Sequence, residues 1–164
     1  RFNKKIIWVK AMTLHEEKAL ELFREGYNCA QAVFAAFCDV MDIDVETALK
    51  ISSSFGGGMG RMREVCGAVT GMFMVAGFLY GTTDKDGEAE KAAHYALIQE
   101  MARRFKEKNN GTIICRELLG NLAAAKSTSP TPDKRCPEYY NTRPCLKFVL
   151  DAVEVMEEII KEHN

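Results

Sequence analysis

Six cysteines in a chain of 164 residues are the side chains whose chemistry stands out first. A free cysteine serves as a small buried apolar residue, a metal ligand or a redox thiol. Cys38 falls on an apolar stripe with Ala30, Val33, Phe34, Phe37 and Met41, so it reads as core. Cys136 stands in a Pro-rich stretch with no partner at metal-ligand spacing and reads as a surface residue. The other four are each expected in or near the first turn of a helix. Cys29 follows Asn28, Cys66 follows a glycine loop, Cys115 opens a short helix before Leu118, and Cys145 follows Thr142 and Pro144. A helix N-terminus carries about half a positive charge and lowers a thiol pKa. Arg61 and Arg63 add to this near Cys66, partly offset by Glu64, while Arg116 and Arg143 flank Cys115 and Cys145. Thiolates are expected on these grounds, at Cys66 in particular.

The spacing contains no CxxC and no CxxH. Cys29, Cys66, Cys115 and Cys145 are separated by roughly 30 to 50 residues, so any metal or redox site must be gathered from distant helices. Three readings stay open: dithiol/disulfide exchange between Cys66 and at least one of the others, an Fe–S cluster or zinc held by all four, or an interaction domain with inert thiols. The first two require the four sulfurs to meet while Cys38 and Cys136 lie apart. No histidine pairs with a cysteine by spacing; His94 reads as hydrogen-bonded or exposed, and His15 and His163 sit near element ends.

Gly56, Gly57 and Gly58, with Met59 and Gly60, interrupt any helix and form a tight turn. Such a loop can cradle an anion with its N–H groups, but it follows a helix rather than a strand and lacks the Lys-Ser/Thr of a P-loop. Its expected task is to turn the chain and place Cys66. Gly67 and Gly71 allow close helix packing, and a glycine beside a cysteine also leaves room for a cofactor or a partner disulfide.

Helices must position these groups. All four prolines (Pro130, Pro132, Pro137 and Pro144) lie in one late segment, leaving the first 129 residues free of the strongest helix breaker. Thr13 with Glu16 and Asn28 with Gln31 are capping pairs, predicting helices over 14–25 and from 28 to 41. A third begins near Asp44 and runs into Phe55. From Val65 to Tyr80 there is no charge, which predicts a helix buried all round; the amphipathic helices about it need it as their core. Residues 87–108 form a long helix facing inward with Leu97, Ile98, Met101 and Phe105, and with a solvated face of Glu90, Glu100 and Glu107 beside Lys91, Arg103 and Lys108. A short helix holds Cys115 to Leu119. Residues 120–141 are irregular, and a last helix starts near Thr142 with Val149, Ala152, Val153, Met156, Ile159 and Ile160 inward. The expected fold is therefore all-α: one domain over 12–164, a bundle of about six helices around a buried helix at 65–80, with residues 1–11 an extension.

Composition excludes several functions. Lys+Arg 22 against Asp+Glu 23 leaves a net charge of -1, so no single-sign field attracts nucleic acid or anionic lipid. The apolar run Ile6-Ile7-Trp8-Val9 is too short for a secretory signal, and no membrane insertion is expected. A cytoplasmic setting follows, in which permanent structural disulfides are not expected.

The segments Gly26-Tyr27-Asn28-Cys29-Ala30-Gln31-Ala32-Val33, Phe55-Gly56-Gly57-Gly58-Met59-Gly60, Cys66-Gly67-Ala68-Val69-Thr70-Gly71 and Cys115-Arg116-Glu117-Leu118-Leu119-Gly120 resemble the C_GCAxxG_C_C family of small helical redox-active proteins. Its last cysteine precedes an aromatic-Val-x-Asp-Ala stretch, matched here by Cys145 before Phe148-Val149-Leu150-Asp151-Ala152. The resemblance covers the chain from about Met12. It implies a redox or metal-cluster role for Cys29, Cys66, Cys115 and Cys145, with a redox partner protein, and leaves Cys38 and Cys136 outside the pattern. A related domain is joined to a multihaem cytochrome in some proteins; this chain has no CxxCH, so covalent haem is not implied.

Overall fold

The Thr13 hydroxyl accepts from the Glu16 amide and the Glu16 carboxylate accepts from the Thr13 amide, a reciprocal cap that opens α1 (Leu14–Arg24). Asn28 and Gln31 repeat the device at α2 (Cys29–Ala36). The computed structural model describes residues 10–164. Residues 1–9 of the expected 1–11 extension lie outside the described residues, whereas the Lys10 ammonium stands 3.2 Å from Glu154.

The chain continues through α3 (Cys38–Met41), α4 (Val45–Ser52), α5 (Gly67–Tyr80), α6 (Glu88–Lys108), α7 (Cys115–Leu119), α8 (Pro137–Thr142) and α9 (Cys145–His163). Among the described residues there is no strand, only an isolated antiparallel bridge between Val65 and Ile114. The fold is all-α. Nine α-helices among the described residues replace the expected six or so, for local reasons. The predicted helix over 28–41 breaks at Phe37 (φ -102°, ψ 16°), whose fully buried ring stacks on His15 at 4.3 Å. The third helix ends at Ser52 and passes into a 3-10 turn, Ser53–Phe55. In the late segment Pro137 begins a helix rather than breaking one, because the first helical position needs no N–H.

α5 is the centre of the bundle, packed most extensively on α2 and also on α9 and α6. Its burial is complete from Cys66 to Met72 and again at Val75 and Ala76, but Gly77 to Tyr80 emerge from the bundle, with Phe78 53% exposed. The expectation of a helix buried all round thus fails over its last turn. Gly71 sets the α2–α5 approach: a Cβ there would lie 2.9 Å from the Ala30 carbonyl oxygen and 2.9 Å from Val33 Cβ. Around this seam Val33, Val69, Met72, Phe105, Val149 and Met156 are fully buried. On the outside Arg104 reaches Glu162 (2.8 Å) and Glu158 (3.3 Å), and Lys108 reaches Glu154 (3.1 Å), strapping α6 to α9. His94 is neither exposed nor hydrogen-bonded at Nδ1, which is buried without a partner. Among the described residues no helix is long and apolar enough to cross a membrane.

Replacing Gly71 by Ala forces α2 and α5 apart and is expected to cost about 1–3 kcal/mol, the usual range for overpacking. Gly77→Ala, where a Cβ meets nothing within 4 Å, is expected to leave stability unchanged or raise it by about 0.5–1 kcal/mol. Thermal denaturation of the two variants reads the difference, and equal midpoints would show that the close seam is dispensable.

Candidate functional site

Each of the four candidate cysteines begins a helix: Cys29, Cys115 and Cys145 are the first residues of α2, α7 and α9, and Cys66 is the N-cap of α5. Cys38 and Cys136 do so as well, at α3 and α8, so helix starts do not single out the four. Location does. Cys29, Cys66, Cys115 and Cys145 line one cavity of about 300 Å³, and Cys38 and Cys136 are not among its lining residues.

Backbone conformation brings them there. From Gly57 to Arg61 five successive residues have positive φ, 56° to 69°, and Arg63 follows at 61°. This left-handed turn is closed by bonds from the Arg61 amide to the Gly56 carbonyl (3.0 Å) and from Glu64 to Gly58 (2.9 Å). Met59, Arg61 and Arg63 adopt a conformation that costs a side-chain-bearing residue about 1–2 kcal/mol. Gly58 cannot be anything larger, since its Cβ would stand 2.6 Å from Cys115 Cβ. Beyond the turn, segment 63–66 pairs with 113–116: Cys66 N–H donates to Ile113 (2.8 Å) and Cys115 N–H to Glu64 (2.6 Å). Cys66 and Cys115 are therefore fixed to one another through the main chain. Cys29 enters from α2, its Cβ 3.2 Å from where a side chain on Gly67 would begin. Gly56, Gly57, Gly58 and Gly67 all line the cavity; Gly71 does not, and meets α2 instead.

The thiols differ sharply in acidity. Burial pushes Cys66 up to about 12, although the Val69 and Ala68 amides at the start of α5 pull the other way. The expected thiolate at Cys66 is thus overturned: desolvation outweighs the helix terminus. Burial likewise raises Cys115, against Arg63, whose Nη1 lies 3.9 Å from its sulfur. Arg63 serves Cys115, then, not Cys66. Arg116, adjacent to Cys115 in sequence, turns outward and pairs with Glu64 at 2.9 Å. Cys29 and Cys145 are neighbours whose acidities are coupled: the proximity of Cys145 and burial raise Cys29, and the proximity of Cys29 lowers Cys145. Cys145 takes the charge because the guanidinium groups of Arg143, Arg135 and Arg63 face it.

The wall opposite comes from the irregular late segment. Asp133 accepts from Arg61 and is ion-paired with Arg143, each at 2.9 Å, and lies 3.8 Å from Arg63; burial works against its charge, but Arg61 and Arg143 hold its carboxyl below the usual range. Tyr139 is gripped by Arg135 and Arg143, both 4.6 Å from its ring centroid, and burial beside Cys145 and Cys29 raises its hydroxyl well above the ordinary value. Arg135 also donates to the Phe23 and Tyr27 carbonyls (3.1 Å each), tying this segment to the end of α1.

The family model described as "Putative redox-active protein (C_GCAxxG_C_C)" matches residues 27–159, most of the chain. The chain belongs to that family. It is also similar, at 27% identity over 158 residues, to an uncharacterized protein of Archaeoglobus fulgidus, covering 91% of this chain and 95% of that one. No solved structure matches it. Within this C_GCAxxG_C_C protein the four thiols share a cavity, yet among the described residues no three His, Cys, Asp or Glu side chains converge as a group able to hold a metal ion. As placed, the donor set does not converge on a single zinc ion.

Arg135, Asp133 and Tyr139 escape a sequence reading, because they sit among Pro, Ser and Thr without helical period. The one available signal was Arg143, two residues before Cys145.

Alkylation by iodoacetamide is expected to be fastest at Cys145, with a rate-versus-pH midpoint below the ordinary thiol value of about 8.5, and slowest at Cys66. The sign follows from the charges: a lowered pKa keeps the thiolate present as pH falls toward neutrality. Arg143→Gln removes a facing cation and moves the Cys145 midpoint upward. Peptide mass spectrometry across a pH series measures both; a midpoint unmoved by the substitution would remove the arginines from the account.

Proposed function

We propose that this protein is a thiol redox protein in which Cys145 and Cys29 carry out thiol/disulfide exchange. The observation that supports this reading most is that Cys29 and Cys145 line the same four-cysteine cavity and shift one another's acidity in opposite directions, Cys29 up and Cys145 down. A disulfide RS–SR′ is attacked by the Cys145 thiolate, forming Cys145–S–SR′ and releasing RS⁻. Cys29 then loses its proton to the released thiolate and attacks the Cys145 sulfur, expelling R′S⁻. The protein is left with a Cys29–Cys145 disulfide, and the substrate has gained both electrons. Cys66 and Cys115 remain neutral thiols lining the same cavity, and a dithiol redox partner protein returns the two electrons.

The arrangement suits the chemistry. Attack needs a thiolate that is not too weak a nucleophile, with a resolving thiol close by; Cys145, 9% exposed, opens onto the cavity it shares with Cys29. Arg143, Arg135 and Arg63 favour the charge on Cys145, and the same cations stabilise the departing thiolate.

Thiol counting on reduced and oxidised protein, followed by peptide mapping, is expected to show a reversible Cys29–Cys145 link. Cys145→Ser abolishes reduction of a model disulfide, whereas Cys29→Ser stops the reaction at a mixed disulfide on Cys145. If none of the four cysteines pairs reversibly, the exchange reading is wrong and the thiols have another role.

A further inference from the structure

Arg63 is buried more deeply than its charge allows without a reason. Its side chain is 4% exposed, its Nε donates to the Ser127 carbonyl at 3.0 Å, and its Nη1 faces Cys115. Nη2 has no hydrogen-bond partner, the nearest carboxylate oxygen being that of Asp133 at 3.8 Å. An unsatisfied guanidinium nitrogen in the interior costs free energy unless something occupies the space before it. Arg63 is itself among the residues that line the cavity. Arg61, Arg135 and Arg143 line it too, and Asp133 is the one carboxylate among its lining residues. Four cations against one anion leave the cavity strongly positive in a chain whose net charge is -1.

Cys145, once ionised, uses part of this charge but does not account for Arg61, which is held by the Ser129 carbonyl (2.6 Å) and Asp133 on the side of the glycine turn. At about 300 Å³ the cavity stands at the small end of small-molecule sites, too small for a folded partner and adequate for a short chain with one charged end. Planar guanidinium groups bind carboxylate, sulfonate and phosphate oxygens through paired N–H donors.

We infer that the cavity binds the anionic group of a low-molecular-weight disulfide, with the guanidinium groups of Arg61 and Arg63 as the receiving donors, and so sets the substrate class of the exchange reaction. This rests on the exchange reading above for the chemistry, though not for the binding. The electron balance is that of the exchange itself: the small disulfide accepts two electrons and leaves as two thiols.

Three short disulfides that differ mainly in charge provide the test: 3,3′-dithiodipropionate, bis(2-hydroxyethyl) disulfide and cystamine, each rate being divided by that with free dithiothreitol. Reduced protein is expected to prefer the dianion to the neutral disulfide by at least about tenfold, the value of a single charge-assisted contact of ~1.4 kcal/mol, and to disfavour the dication. Arg63→Gln lowers that preference severalfold; Arg61→Gln does the same should the buried substitution unfold the chain. Separately, sulfate titrated into the Cys29→Ser/Cys145→Ser protein, which cannot exchange, is expected to give saturable heat. Sulfate binding without exchange in the unmodified protein would leave the anion site standing and sink the exchange reading. Exchange with no charge preference and no sulfate binding would show that the arginines serve the Cys145 thiolate alone, overturning the inference.

Discussion

Everything in this molecule hangs on how closely α2 can approach α5. The two helices meet where α5 has no side chains: Gly71 lies against Ala30 and Val33, and Gly67 against Ala30 and Cys29. Bulk at either position would push apart the two helix starts that carry Cys29 and Cys66. The rest of the core, Met72, Phe105, Val149 and Met156, closes round this seam and brings α9 alongside, so that Cys145 arrives at the same end. Small residues at the crossing are thus the cause of the site's geometry, and the cysteines are its passengers.

A second contest decides what the sulfurs are chemically. Helix N-termini favour a thiolate, and all of these cysteines have one. Burial opposes it, and at Cys66 burial prevails even with two amides aimed at the sulfur. The outcome reverses only at Cys145, where the neighbouring Cys29 and three guanidinium groups act together. Formal charges turn out to be worth more here than the partial charges of a helix end, since three whole cations face a single sulfur. A backbone terminus prepares a cysteine; distant arginines select it.

Much of this was legible in the linear order of residues. Capping pairs at Thr13/Glu16 and Asn28/Gln31 mark two helix starts to the residue, and the uncharged stretch before Tyr80 marks the central helix. The turn at Gly56 to Gly60 announces itself by composition, and the family's cysteine pattern separates the four that share the cavity from Cys38 and Cys136. Other features were illegible for physical reasons. Helix starts are common to all six cysteines and so carry no discrimination. The partner of a buried thiol is set by tertiary contact, which is why Arg63 reaches Cys115 while adjacent Arg116 points to solvent. The segment with Asp133, Arg135 and Tyr139 follows no period, because it is held by ion pairs and guanidinium stacking instead of an apolar stripe.

Cys29 and Cys145 belong to distant parts of the chain, at the head of α2 and the head of the last helix. A covalent bond between them closes a loop of roughly a hundred residues, and in the chain-entropy picture a loop of that size restricts the unfolded ensemble by about 4–5 kcal/mol. Electron transfer and folding are then one thermodynamic cycle: whatever the oxidised bond adds to the resistance of the bundle against unfolding, the reduction potential must reflect in equal measure. In the exchange proposed above, the elasticity of the chain between these two residues becomes part of the redox couple.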